Sequence, residues 1–173
     1  VLVSMAAGIT MQTVLDASGG DYPVIRIMPN TPVAVGGGMV LYTTANTNES
    51  EVECFLDIMA KAGRFDCLPE KLIDAGASVA GCGPAFVDLF VEALADGGVA
   101  CGLPRAQAME FAAQMVAGSA KLILESKKHP GQLKDEVCSP GGTTIQGVRA
   151  LEKGGFRSAV TEAVIAAYEK NFE

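Results

Sequence analysis

At Pro69 the texture of the chain changes, and no single kind of layer suits both sides of that change. Up to residue 68, short apolar runs alternate with turn signals; beyond it strand signals vanish and Ala- and Leu-rich helical stretches follow to the end. Residues 1–3, 24–28 and 39–43 read as buried strands, because each is a short apolar run followed by turn residues: Gly19, Gly20 and Asp21 ahead of the second, Pro29, Asn30 and Pro32 after it, Asn46 and Asn48 after the third. A short helix is expected over 10–17 and a longer one over 50–62. In the longer one Val52, Phe55, Leu56 and Met59 fall at i, i+3, i+4 and i+7, a single apolar stripe fit to cover a sheet. The first 68 residues are therefore expected to form an α/β layer.

Over residues 69–173 the expectation is all-α. Helices over 84–100 and 104–125 each begin with proline near the first helical position, where its missing N–H costs nothing. Gly97 and Gly98 are expected to end or bend the first of them. Residues 86–94 are apolar on most sides, so that helix must be covered all round, and in so small a helical domain the cover is a partner chain. The last helix, over 157–170, carries Val160, Ala163, Val164, Ala167 and Tyr168 on one stripe.

With 173 residues, 49% of them hydrophobic, the chain can bury one domain, or one domain plus part of another. Its apolar runs are broken by Asp, Glu, Lys or Gly short of the roughly 20 residues of a membrane helix, and no basic-then-apolar leader opens it. A soluble, cytoplasmic protein is expected. Five cysteines, Cys54, Cys67, Cys82, Cys101 and Cys138, form no CxxC pair, which argues for reduced thiols rather than a disulfide framework or a zinc knuckle. A net charge of −7 argues against nucleic acid, whose phosphates need a basic stripe.

The run Ser139, Pro140, Gly141, Gly142, Thr143, Thr144 opens into a helix whose Ile145, Val148 and Leu151 mark the expected buried side. The free N–H groups of that first turn, with the hydroxyls of Ser139, Thr143 and Thr144, form a cradle for an anion such as a carboxylate, aided by the helix dipole. The same run also suits an ordinary capped helix start, since Ser and Thr are favoured N-caps.

HPGQLKD from His129, then SPGGTT from Ser139 and LEKGGFRSAV from Leu151, resembles the signature region of pyrroline-5-carboxylate reductases. MPNTP from Met28, LID from Leu72, GCGPA from Gly81, ALADGGV from Ala93 and GLPR from Gly102 stand in the same order, so the resemblance covers essentially the whole chain. It implies a truncated, Rossmann-like dinucleotide-binding remnant over 1–68 and a helical dimerisation and substrate-binding domain over 69–173. It also implies reduction of 1-pyrroline-5-carboxylate to L-proline with NADP or NAD as hydride carrier, and a homodimer, able to assemble further, built through the helical domain. In the family pattern Ser139, Gly141, Gly142, Thr143 and Thr144 hold the substrate carboxylate, and the Thr144 hydroxyl faces the ring nitrogen as the catalytic group. Glu70 stands near the substrate, Met5, Ala6, Ala7 and Asn30 along the nicotinamide side of the cofactor, and Glu136 beside it. Plain alternatives stand next to these: a glutamate complementing a helix dipole at Glu70, and turn chemistry at Met5, Ala6, Ala7 and Asn30. Glu136 replaces an asparagine of some members, Lys127 a glutamate, and Thr143 an alanine, so at 143 the backbone N–H is expected to matter more than the hydroxyl. His129 is expected to be an exposed residue of a helix-start turn.

A dinucleotide fold usually declares itself by GxGxxG between its first strand and helix. Gly81, Cys82 and Gly83 imitate only its first half, and Pro84 marks a helix start instead. The expectation is that the glycine-rich part of such a domain is missing and that the chain alone is inactive, because hydride transfer needs a cofactor held against substrate. Two rivals remain. Asp88, Glu92 and Asp96 recur every four residues and could face Mg²⁺ in a reductoisomerase, but no second carboxylate pair has matching spacing, so no metal ligands are expected. The apolar helix over 86–94 would equally serve a non-enzymatic oligomerisation module.

Overall fold

The computed structural model describes residues 1–172. They form two compact units, residues 1–84 together with those from 162 onward, and residues 85–161.

The first unit is built on a four-stranded sheet in the order β1 (Leu2–Ser4), β2 (Val24–Met28), β3 (Gly38–Ala45), β4 (Gly63–Cys67). β1 pairs parallel to β2 and β3 parallel to β4, while β2 and β3 are antiparallel. Parallel neighbours need a crossover, and the chain supplies two: α1 (Met11–Ser18) between β1 and β2, and α2 (Glu49–Met59) between β3 and β4. Both helices have local start signals. Thr10 accepts the Thr13 N–H with its hydroxyl, and Asn48 and Glu51 form a reciprocal capping box.

Two-residue alternation sorts the sheet's side chains. Ile25, Ile27 and Val40 turn to one face and pack on Phe55 of α2, with Tyr42, Leu56, Met59 and Phe65 around them. Phe55 meets Phe65 edge-on, ring centroids 5.7 Å apart. The other face meets α1 and α3 (Ile73–Ala80); Gly76 of α3 sits against Leu41 so tightly that a Cβ would collide with that side chain. Covered on both faces, β2 reads as a continuous run, VIRIM, in which only Arg26 is polar.

The three expected strands and two expected helices of this unit are present, each within two residues except that α2 stops at Met59 and a 3-10 turn follows it, but β1, expected to be buried, is exposed at Leu2 and Val3. β4 was not foreseen. Its first residue, Gly63, is paired opposite Gly38 at a φ of 135°, and a Cβ there would overlap Gly38's carbonyl, so only glycine permits the approach.

The helices that follow are α4 (Gly83–Ala100), α5 (Arg105–Ser126), α6 (Pro130–Glu136), α7 (Thr143–Lys153) and α8 (Phe156–Glu169). α4 runs through Gly97 and Gly98 rather than ending there. Gly98 serves packing instead: a Cβ would stand 3.2 Å from the Ala108 Cβ and 3.3 Å from the Leu103 side chain. Among the described residues of the second unit, the buried apolar side chains are only Ala95, Ala108 and Ala112, whereas Leu89, Phe111, Leu122 and Leu124 are exposed. These helices carry apolar residues but little core of their own. Residues 70–100 include a window of mean hydropathy 1.4, membrane-like by length and composition, of which 6% is buried. The stretch is broken at Gly81 and Cys82, whose N–H groups both donate to the Ala77 carbonyl, and α4 carries Asp88, Glu92 and Asp96. Counting only uninterrupted apolar runs passed over it.

Candidate functional site

Because β1 and β2 are parallel, their carboxyl ends open at the same edge of the sheet, the place where open α/β sheets take ligands. The structure brings Met5, Ala6, Ala7 and Asn30 to that edge. Met5, Ala6 and Ala7 are exposed in the turn after β1, and Gly8 closes the turn at a φ of 72°. Asn30, two residues past β2, spends its amide on the fold: Nδ2 donates to the Ala80 carbonyl at 2.9 Å, and Oδ1 accepts the Met39 N–H at 3.1 Å. It pins the edge rather than leaving its amide free for a ligand.

Glu70 is engaged as well. Its Oε1 accepts the Met11 N–H at 2.6 Å and lies 3.1 Å from the Arg26 guanidinium, whose side chain is 5% exposed. Asp74 stands 3.9 Å from the same guanidinium. The dipole role considered for Glu70 is thus met at a different helix, α1, which has no acidic residue in its own first turn. Arg26 Nε is the one buried side-chain N or O atom without a hydrogen-bond partner among the described residues. Sequence reasoning overlooked Arg26, although a charge inside an apolar strand signals partners elsewhere in the chain.

In the second unit the start of α7 is open. Gly142 is its N-cap and provides no side-chain cap, and α7 has no acidic residue in its first turn. Ser139 does not cap it either: its carbonyl accepts the Gly142 N–H at 3.0 Å, closing a turn with Gly141 at a φ of 70°. The N–H groups of Thr143, Thr144 and Ile145 therefore head a helix with no partner inside it, beside the exposed hydroxyls of Ser139, Thr143 and Thr144. The ordinary capped start is therefore not realised at α7. Ile145 and Val148 are half-buried as expected, but Leu151 is exposed, placed at the helix end beyond the covered turns.

Glu136, at the end of α6, accepts a hydrogen bond from Lys128 Nζ at 2.7 Å, so its carboxylate already faces a cation. His129 is exposed and caps α6, its Nδ1 accepting the Gly131 N–H at 3.0 Å. Asp88 and Glu92 are exposed on α4, and Asp96 binds Arg105 at 2.5 Å. Within the sheet, burial holds the Tyr42 phenol above its ordinary pKa, with Cys67 and Asp66 on β4 adding to the effect. An apolar groove of about 500 Å³ runs between the free side of β1 and α2, lined by Val1, Val3, Cys54, Phe55, Ile58 and Met59 among others. Met5, Ala6, Ala7, Asn30 and Glu70 thus belong to the first unit, and Glu136, Ser139, Gly141, Gly142, Thr143 and Thr144 to the second.

A Rossmann-like α/β layer with a ligand edge, continued by helices that lack a core of their own, defines the class: a subunit joining a nucleotide-binding type of layer to a helical assembly domain. A family model described as pyrroline-5-carboxylate reductase dimerisation matches residues 70–173. The chain belongs to the pyrroline-5-carboxylate reductase family. It is 48% identical over 172 residues to a pyrroline-5-carboxylate reductase of Escherichia coli (strain K12), covering 99% of this chain and 64% of that one. To one of Arabidopsis thaliana it is 47% identical over 176 residues, covering 100% of this chain and 63% of the other. The structure of Plasmodium falciparum pyrroline carboxylate reductase with NADP bound superposes at a TM-score of 0.91 and 36% identity, over 99% of this chain and 68% of that one. The chain thus spans a little under two-thirds of the length of these curated relatives.

Proposed function

We propose that this chain carries the substrate-binding and assembly part of a reductase that converts 1-pyrroline-5-carboxylate to L-proline, the last step of proline biosynthesis. It works as a homodimer with NADP or NAD as hydride carrier, in a cytoplasm that keeps its five cysteines reduced. The observation that carries this reading is the open start of α7, where a short anionic substrate finds N–H groups, a helix dipole and hydroxyls together. Family membership names the substrate that fits it.

In this reading the N–H groups of Thr143 and Thr144 hold the carboxylate, and Gly141 and Gly142 keep the loop narrow enough for it to approach. The Thr144 hydroxyl hydrogen-bonds the ring nitrogen. The exposed turn of Met5, Ala6 and Ala7 suits the nicotinamide half of a dinucleotide, since the small side chains of Ala6 and Ala7 past the end of β1 leave room for a flat ring. No GxGxxG turn is present to take the pyrophosphate. When bound, the reduced nucleotide would supply a hydride to the C=N carbon, and the π pair of that bond would move onto a nitrogen that already carries a proton, giving the amine of proline. His129 caps a helix, and no other residue named here offers a strong acid, so a substrate protonated by water and oriented by Thr144 accounts for the chemistry.

Replacing Thr144 with alanine in a reductase of full family length carrying this chain should lower turnover by roughly tenfold to a hundredfold, with serine restoring most of it. Steady-state kinetics following oxidation of the reduced nucleotide checks this, and unchanged kcat and KM remove Thr144 from the mechanism. A second reading, assembly without catalysis, is favoured by the scarcity of core in the helical unit. Calorimetry separates the two: a dimer that does not bind proline supports assembly alone.

A further inference from the structure

Arg26, Glu70 and Asp74 form an ion-pair cluster within the first unit. Arg26 is paired in register with Ser4, the last residue of β1, so its backbone lies beside the point where the exposed turn of Met5, Ala6 and Ala7 begins. The far end of that turn is Met11, first residue of α1, and the Met11 N–H is held at 2.6 Å by the Glu70 Oε1 that also meets Arg26 at 3.1 Å. One carboxylate, delivered from 59 positions further along the chain, thus ties the far end of the turn to the β2 residue whose backbone pairs beside its near end. The contact is charge-assisted on both sides, and Arg26 is too buried to exchange Glu70 for water cheaply. Asp74, at 3.9 Å, is placed to hold the guanidinium without replacing Glu70 at Met11.

We propose that Glu70 is a positioning residue for the nucleotide: with Arg26 it fixes the geometry of the turn over residues 5–11, rather than touching the substrate. This rests on the reading that the turn receives the nicotinamide. A loosened turn would have to be ordered again each time the nucleotide binds, and that ordering lowers affinity. The pair would thus act on nucleotide binding first.

Hydrogen exchange on the chain, with and without Glu70→Ala, tests the positioning without any need for turnover. Amides of residues 5–12 should exchange on the order of tenfold faster in the variant, as expected for loss of one charge-assisted bond, while the start of α7 keeps its wild-type rates. Glu70→Gln, which keeps an acceptor for Met11 but not the charge for Arg26, should fall between the two and carries the test if the alanine variant does not fold. Titration with the reduced nucleotide and, separately, with proline, on a reductase of full family length carrying this chain, should show nucleotide affinity falling more than proline affinity. Unaltered exchange over residues 5–12 overturns the proposal, as does a loss of proline affinity larger than that of nucleotide. If the wild-type protein binds neither ligand while exchange still rises in the variant, the functional reading fails and the structural tie stands.

Discussion

Gly141 and Gly142 are neighbours, yet each is a glycine for its own reason. Gly141 lies at positive φ, where an alanine is strained, whereas a Cβ on Gly142 would push the Ser139 hydroxyl out of the loop. Together they put a free row of N–H groups at the surface. Tyr42 shows single-residue chemistry of another sort. Burial keeps its phenol neutral above the ordinary value of 10.0, and opposite it on β4 stand Cys67 and the Asp66 charge. A raised pKa in the fold means that the stabilising contribution is complete below that ordinary value and is lost as pH climbs through the folded one. Denaturant unfolding across an alkaline pH series should therefore show wild type losing stability more steeply than Tyr42→Phe. Parallel curves would show that Tyr42 is not the group responsible.

Among elements, α2 is the clearest case of local instruction agreeing with global packing. Its stripe of Val52, Phe55, Leu56 and Met59 was legible in the sequence, and the capping box of Asn48 and Glu51 starts it where that stripe begins. Asn48→Ala should destabilise the first unit by about 1 kcal/mol, measured as a lower urea midpoint with unchanged slope. β2 was legible for the same reason, being a continuous apolar run. β4 was not, because GRFDC is an edge strand in which Phe65 is the only large apolar side chain, and its pairing is decided by the approach of Gly63 to Gly38. The tie between Glu70 and α1 was also out of reach, since its two ends lie far apart in the chain and only the fold brings them together. For the α7 loop, residue types and order pointed to a helix start, which the structure places at Thr143, but the absence of a side-chain cap there was visible only in the fold.

Taken whole, the molecule is unevenly supplied with core. The sheet unit closes around Ile25, Ile27, Val40 and Phe55, while the helical unit buries only alanines among its described apolar residues. Helices of this kind are completed by another surface, and the family's dimerisation match over residues 70–173 supports a second copy as that surface. Sedimentation at micromolar concentration should give a dimer. Phe111→Asp, placing a charge at one of the exposed apolar positions of α5, should weaken the dimer by roughly thirtyfold or more, as for loss of an interface anchor. A monomeric wild type would remove the assembly role from both functional readings.

The approach of Gly63 to Gly38 has a consequence for tolerance of change. A side chain at position 63 would meet the Gly38 backbone, which no rotamer can relieve, so a substitution there parts β3 from β4 rather than merely crowding them.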